Sequence, residues 1–231
     1  MEAFFEGWLQ RQEELLHELL AVRSDDGPCD DDDDRLRELI SCTLAHCKAY
    51  YREKARLADR DVLLVYSPTW LTPFERTFLW VAGFRPSLVF RLLRAAVGAD
   101  GNAGGATPEK ALALEVLEAD IAEEERKLTR EMAGLQEAMA LLQVVAMVRR
   151  AVAARNGHTQ ANEDEVVGPL VRSLRLLLAY ADRLRVRLVK RLVEILRPAQ
   201  MADLLVAAWQ LHLRIRGWGM RGRGAAGRAA A

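Results

Sequence analysis

The residues with the widest chemical reach in this sequence are four histidines, three cysteines and a run of five aspartates. His17, His46, His158 and His212 are scattered over separate segments, and none forms the spaced ligand pair of a zinc or iron centre. Cys29, Cys42 and Cys47 are odd in number and lack the paired spacing of a disulfide framework. Cys42 and Cys47 also fall on different parts of a helical surface, so buried, reduced thiols are expected. Asp30 to Asp34 could attract a cation, but the run lacks the alternating ligands and turn glycine of a calcium loop. It reads as a solvated loop. No glycine loop between a strand and a helix, no nucleophile elbow and no histidine pair on a helix accompanies these residues. The chain is therefore read as a non-enzyme for which no cofactor is expected.

Cations are more numerous and more ordered. Arg172, Arg175, Arg183, Arg187, Lys190 and Arg191 form a stripe, followed by Arg214, Arg216, Arg221, Arg223 and Arg228. Each phosphate that an arginine neutralises releases counterions, so Arg214, Arg216, Arg221 and Arg223 are candidate nucleic-acid contacts. No groove-sized recognition element goes with them, and the contact is expected to be weak or indirect. The stripe itself reads as a solvated face pairing with Glu123, Glu124 and Glu125. Residues 166–231 hold 13 Lys/Arg against 3 Asp/Glu in a chain with 33 of each. Such polarity favours intramolecular attraction, head-to-tail association of two copies as a homodimer, or an acidic partner.

The elements that would carry these residues are all helices. Half the chain is apolar and its charges balance, as in a folded domain. Phe4, Phe5, Trp8, Leu9, Leu15, Leu16, Leu19 and Leu20 recur at helical spacing, and an acidic loop over residues 24–34 follows. Asp34 is placed to cap a second helix running to about Val65. Thr72, Pro73 and Glu75 make a strong start signal for a short helix through Trp80, and Pro86 starts another. After a linker at 98–107, Leu117, Ile121, Leu128, Met132, Leu135, Met139 and Leu142 predict one very long helix, or two collinear ones meeting near Gly134. A polar loop at 155–165, a long helix ending near Pro198 and a last helix carrying Trp209 and Leu213 complete an elongated all-α bundle of antiparallel helices. The domain is assigned to residues 1–213, with 214–231 as a basic flexible tail. No apolar run approaches the roughly 20 residues that span a bilayer, no signal segment opens the chain, and nucleus and cytoplasm are the expected compartments.

Within the segment Asp61 to Leu93, Trp70, Glu75, Arg76, Leu79, Trp80, Gly83, Phe84, Arg85 and Pro86 stand in an order that resembles the signature of the plant delay-of-germination domain. Further on, Ala181, Asp182, Leu184 and Arg185, then Ile195, Leu196, Ala199 and Gln200, are similar to the closing helices of that family. The same domain forms the C-terminal half of TGA-type bZIP transcription factors. With the domain beginning in the first few residues, a stand-alone member without a bZIP region is expected, and the DNA binding attributed to the family is expected to belong to its bZIP members.

The resemblance implies a regulatory protein of seed dormancy, abscisic-acid signalling and transcription that acts through protein contacts. Type 2C protein phosphatases and transcription regulators are the implied partners. Relatives have been associated with haem through histidines near the C-terminus. His212 lies in the matching helix, so a haem or apolar-ligand sensor is the alternative, although Arg216 stands where a second histidine would strengthen it. Physically, Trp70, Phe74, Phe78, Trp80 and Phe84 read first as core anchors, with a partner groove built on them as the other reading. Thr72 and Glu75 would cap a helix, and Arg76 or Arg85 would pair with a carboxylate or a helix C-terminus.

Overall fold

The computed structural model describes residues 1–24, 30–97, 107–156 and 164–229. Eight helices and no strand occur among them: α1 (Glu2–Ser24), α2 (Asp30–Arg60), α3 (Val62–Tyr66), α4 (Pro73–Arg76), α5 (Leu88–Val97), α6 (Pro108–Asn156), α7 (Asp164–Ile195) and α8 (Pro198–Ala229). The all-α expectation holds.

Apolar spacing explains which helices meet. On α7, Leu174, Leu177, Ala181, Leu184, Leu188, Leu192 and Ile195 step by three or four and are buried. From Leu177 on they pack with Leu117, Ile121 and Leu128 of α6 and with Leu204 and Leu205 of α8, while Leu174 packs with Ala58, Val62 and Val65. Each such leucine contributes roughly 2 kcal/mol relative to exposure. α1 and α2 run antiparallel, since Trp8 near the start of α1 meets His46 and Tyr50 late in α2. α8 is the shared element, touching α1, α2, α4, α5 and α7.

Several boundaries differ from expectation, each for a local reason. The aspartate run is not a loop: Asp30–Asp34 open α2, where negative charge meets the positive end of the helix dipole, and Asp33 and Asp34 pair with Arg37 inside the helix. Asp34 is therefore no cap. α2 stops at Arg60 because the Asp61 side chain accepts from the Leu64 amide at 3.1 Å and starts α3. α4 ends at Arg76 and gives way to tight turns, so Trp80 lies outside it, and α5 begins at Leu88, two residues after Pro86. α6 crosses Gly134 without a break and reaches Asn156, and α7 begins at Asp164, so both ends of the expected 155–165 loop are helical. Residues 157–163, the linker segment 98–106 and Cys29 lie outside the described residues.

The largest difference is at the C-terminus, where α8 continues to Ala229 through residues expected as a flexible tail. Five glycines from 217 to 229 disfavour helix by about 1 kcal/mol each. Tertiary contact opposes that cost. Arg216 pairs with Glu75 of α4, Trp218 meets Phe74, and Gly219 is buried against Thr72.

Candidate functional site

The two segments that carry the family resemblance meet in space. Between Trp80 and Gly83 the chain reverses in two residues, with mutual backbone hydrogen bonds of 2.8 and 3.1 Å. Val81 and Ala82, at the centre, have φ values of 43° and 53°. Two successive positive φ angles are the mark of a type I′ turn, which normally takes Asn-Gly. For residues bearing a Cβ the left-handed region costs about 1–2 kcal/mol each, so something must hold the turn.

Arg185 of α7 holds it. Its guanidinium donates to the Phe84 carbonyl through Nε at 2.8 Å and, through Nη2, to the Trp80 carbonyl and to that of Val81 at 3.2 Å. It also lies over the rings of Trp80 and Phe84 at 5.4 and 5.6 Å. Gly83 of the motif is a glycine because a Cβ there would come within 2.7 Å of the Arg185 Cζ. Asp182, one turn earlier on α7, accepts from Arg185 Nη1 and from Lys54 Nζ, the latter at 2.8 Å. Arg185 and Lys54 are each only 1% exposed, so two buried cations share one carboxylate. Burial pushes the Lys54 amine down to about 8, Asp182 opposes that shift, and the Arg185 charge adds to it. The groove of about 370 Å³ between α6 and α7 is lined by Glu124, Lys127, Leu128, Glu131, Tyr180, Arg183, Leu184 and Arg187, and reaches none of these three groups. Lys54, Asp182 and Arg185 fasten helices and a turn together.

The rest of the motif is anchored as firmly. Trp80 Nε1 donates to Thr129 Oγ1 at 3.0 Å, tying the turn to α6. Glu125 of α6, with a side chain 2% exposed, accepts from Arg85 at 2.9 Å and from the Ser87 amide ahead of α5. Thr72 and Glu75 form the expected capping box, with bonds of 3.1 and 2.7 Å, and Arg216 reaches Glu75 at 3.3 Å while lying over Phe5. Pro86 is buried, and Arg76 has no ion-pair partner among the described residues.

The aromatic residues divide into two groups. Trp70 is buried against Phe5, Leu9 and Leu71, and Trp80 is partly buried. Phe74, Phe78 and Phe84, expected in the core, are instead 40%, 51% and 36% exposed. α4 is too short to turn both Phe74 and Phe78 inward, because Glu75 takes the inward position for its bonds to Thr72 and Arg216. Trp218 of α8, 50% exposed, joins them.

The basic candidates are also split. Arg216 turns inward and is engaged by Glu75, so it is not an open phosphate contact. Arg214 and Arg221 are exposed, and the side chain of Arg223 lies outside the described residues. The α7 stripe does not pair with Glu123–Glu125. Arg175 donates to the Ala58 and Asp59 carbonyls at the end of α2, Arg191 pairs with Glu194, and Glu123 pairs with Arg126.

The histidines occupy a helix junction. His46 stacks on Trp8 at 4.7 Å, and His212 meets the edge of the same indole at 6.0 Å and Gln12 through Nδ1 at 3.1 Å. Indole rings flank both imidazoles, Trp8 against His46 and His212 and Trp209 against His46, and occupy faces that a haem would need. Burial lowers the pKa of both histidines; Arg11 adds to this for His46, and for His212 Glu75 opposes it while Arg216 adds to it. Below the ordinary value of 6.5 the unfolded chain then binds protons that the native junction resists, so folding stability falls as pH falls. Thermal melts between pH 7.5 and 5 are expected to show a smaller loss for the His46→Gln/His212→Gln double variant than for the natural sequence; equal losses would disprove the coupling. Cys47 is packed on Trp209 with its thiol pushed up to about 11 by burial, whereas Cys42 is exposed, contrary to expectation.

Comparison with known proteins bears on this geometry. The family model described as seed dormancy control, DOG1, matches residues 13–95, which contain the Trp80–Gly83 turn but not Arg185. Protein DOG1-like 4 of Arabidopsis thaliana is 32% identical over 218 residues, covering 94% of this chain and 91% of the relative. The chain belongs to the DOG1 family. Protein RESPONSE TO ABA AND SALT 1 of the same plant is 31% identical over 218 residues, with 92% of each chain covered. Transcription factor TGA5, also of Arabidopsis thaliana, is 27% identical over 184 residues, covering 80% of this chain and 54% of the factor. The Trp80–Pro86 motif and the Ala181–Arg185 motif belong to one structural device.

Sequence reasoning missed Lys54 and Trp218, and it assigned Glu125 to the α7 stripe instead of to Arg85 and the Ser87 amide. Lys54 and Glu125 are charged residues on amphipathic helices, and nothing in their spacing distinguishes them from solvated neighbours. Trp218 stands among glycines and arginines, a composition that reads as a tail.

Proposed function

We propose that the chain is a non-enzymatic regulatory protein acting through protein contacts in seed dormancy, abscisic-acid response and transcriptional control, from the nucleus and cytoplasm. The observation that carries this reading is the cluster of Phe74, Phe78 and Trp218, exposed together on a rigid seat built by the family motif and α8. Large aromatic side chains held in the open with little freedom left to lose are what binding hot spots are made of. The names of the relatives, one responsive to abscisic acid and salt and one a transcription factor, support the process. Type 2C protein phosphatases and transcription regulators are the proposed partners.

Proximity labelling in developing seed tests this with the natural sequence and a Phe74→Ala/Phe78→Ala/Trp218→Ala variant. Phosphatases or transcription regulators labelled by the former and lost from the latter are the expected result. An unchanged set of labelled proteins would refute the surface, and a set without regulators would refute the process.

A further inference from the structure

Phe74 and Phe78 meet edge to face at 5.2 Å, and Trp218 meets Phe74 the same way at 6.3 Å. Two elements distant in sequence therefore build one aromatic patch, and its register is fixed. Pro73 and the Thr72–Glu75 capping box set the start of α4, Arg216 ties Glu75 to α8, and a Cβ on Gly219 would sit 2.1 Å from Thr72 Oγ1. Bringing a partner to such a patch orders little that is not already ordered.

Along α4 and this stretch of α8 the charges left unpaired are all positive. On α8, Arg214 and Arg221 lie four residues before and three after Trp218, the spacings that share a helical face. The Arg221 guanidinium lies back along the helix, near Gly217. Arg76 stands between the two phenylalanines in sequence. None of these three arginines has an ion-pair partner among the described residues, and the one carboxylate of α4, Glu75, is buried and committed to Thr72 and Arg216. An aromatic floor with unpaired guanidiniums at its rim is complementary to apolar anchors flanked by carboxylates.

We infer that this patch, the surface on which the proposed function rests, receives an acidic amphipathic segment of another protein, its aliphatic or aromatic side chains on Phe74, Phe78 and Trp218 and its carboxylates on Arg214, Arg221 and Arg76. Single-stranded nucleic acid fits less well. Bases stack on ring faces, and here neighbouring rings stand at 70° and 81° to one another, which offers no run of parallel platforms.

The test is selection from a random peptide library displayed on phage, panned against the immobilised full chain, followed by titration of the winning synthetic peptide. Enriched sequences are expected to combine net negative charge with aliphatic or aromatic residues. The peptide should lose at least ~10-fold in affinity on Trp218→Ala and at least ~5-fold on Arg214→Glu/Arg221→Glu, and should weaken as salt rises. Both variants alter exposed side chains, and circular dichroism establishes that each is folded. Neutral or basic winners, no enrichment over a blank support, or equal affinity for the variants would overturn the inference. So would a thymidine oligonucleotide binding more tightly than the peptide, or sedimentation showing that a second copy of the chain covers the patch. Partners in seed lost on Phe74→Ala/Phe78→Ala/Trp218→Ala but kept on Arg214→Glu/Arg221→Glu would leave the regulatory reading standing and remove the acidic partner alone.

Discussion

Replacing Arg185 by alanine is expected to lower folding stability by about 3–5 kcal/mol, the range for removing one member of a buried charged network. At the size of this chain that corresponds to a fall of roughly 10 °C in melting temperature. Three consequences add up. The carbonyls of Val81 and Phe84 lose their donor and that of Trp80 keeps only the Gly83 amide, the positive φ angles at Val81 and Ala82 lose the contact that offsets their strain, and Asp182 keeps only Lys54. Arg185→Lys should recover little of this, because one ammonium on a flexible stem cannot present the planar fork that reaches Phe84, Trp80 and Asp182 from separate nitrogens. Thermal or urea unfolding of the two variants decides the matter. A loss under 1 kcal/mol for Arg185→Ala would mean that the turn holds itself.

Gly219→Ala should cost about 2–3 kcal/mol, although alanine is the better helix former at almost any other position of α8. The added methyl would sit 2.1 Å from Thr72 Oγ1 and 2.9 Å from Thr72 Cβ, neither of which can move without breaking the capping box. The end of α8 must then lift from α4, taking Trp218 away from Phe74. Thr72→Ala removes the opposing hydroxyl and loses the cap, so on its own it should cost about 1 kcal/mol. In the double variant the two changes are expected to be less than additive by 1 kcal/mol or more. Strict additivity of the unfolding free energies would show that Gly219 and Thr72 do not touch.

How much of this was legible beforehand depended on whether the signal was local. The period of α6 and α7 is set by apolar residues that recur at steps of three, four or seven, so their identity as long packed helices followed directly. The Thr72–Pro73–Glu75 capping box was legible for the same reason, since all its partners lie within four residues. The aspartate run reads as a loop when its charge is weighed without the helix dipole, which favours acidic residues at a helix start. Phe74 and Phe78 read as core anchors from the spacing of the aromatics, whereas the inward position of α4 is held by a glutamate bound to an arginine 141 residues away. That partner has no local signature. The same holds for Arg185, whose bonds to the turn span 101 to 105 positions. Its place in a family motif marked it, but only the fold shows what it does.

The most direct test is hydrogen exchange of the Trp80 and Gly83 amides, which bond only across the turn. In the natural chain they should exchange as slowly as amides in the middle of α7, because the turn is clamped to that helix through Arg185. In Arg185→Ala they should exchange far faster than the remaining α7 amides. Fast exchange in the natural chain, or equal protection in the variant, would show that the two motifs are neighbours without being one device.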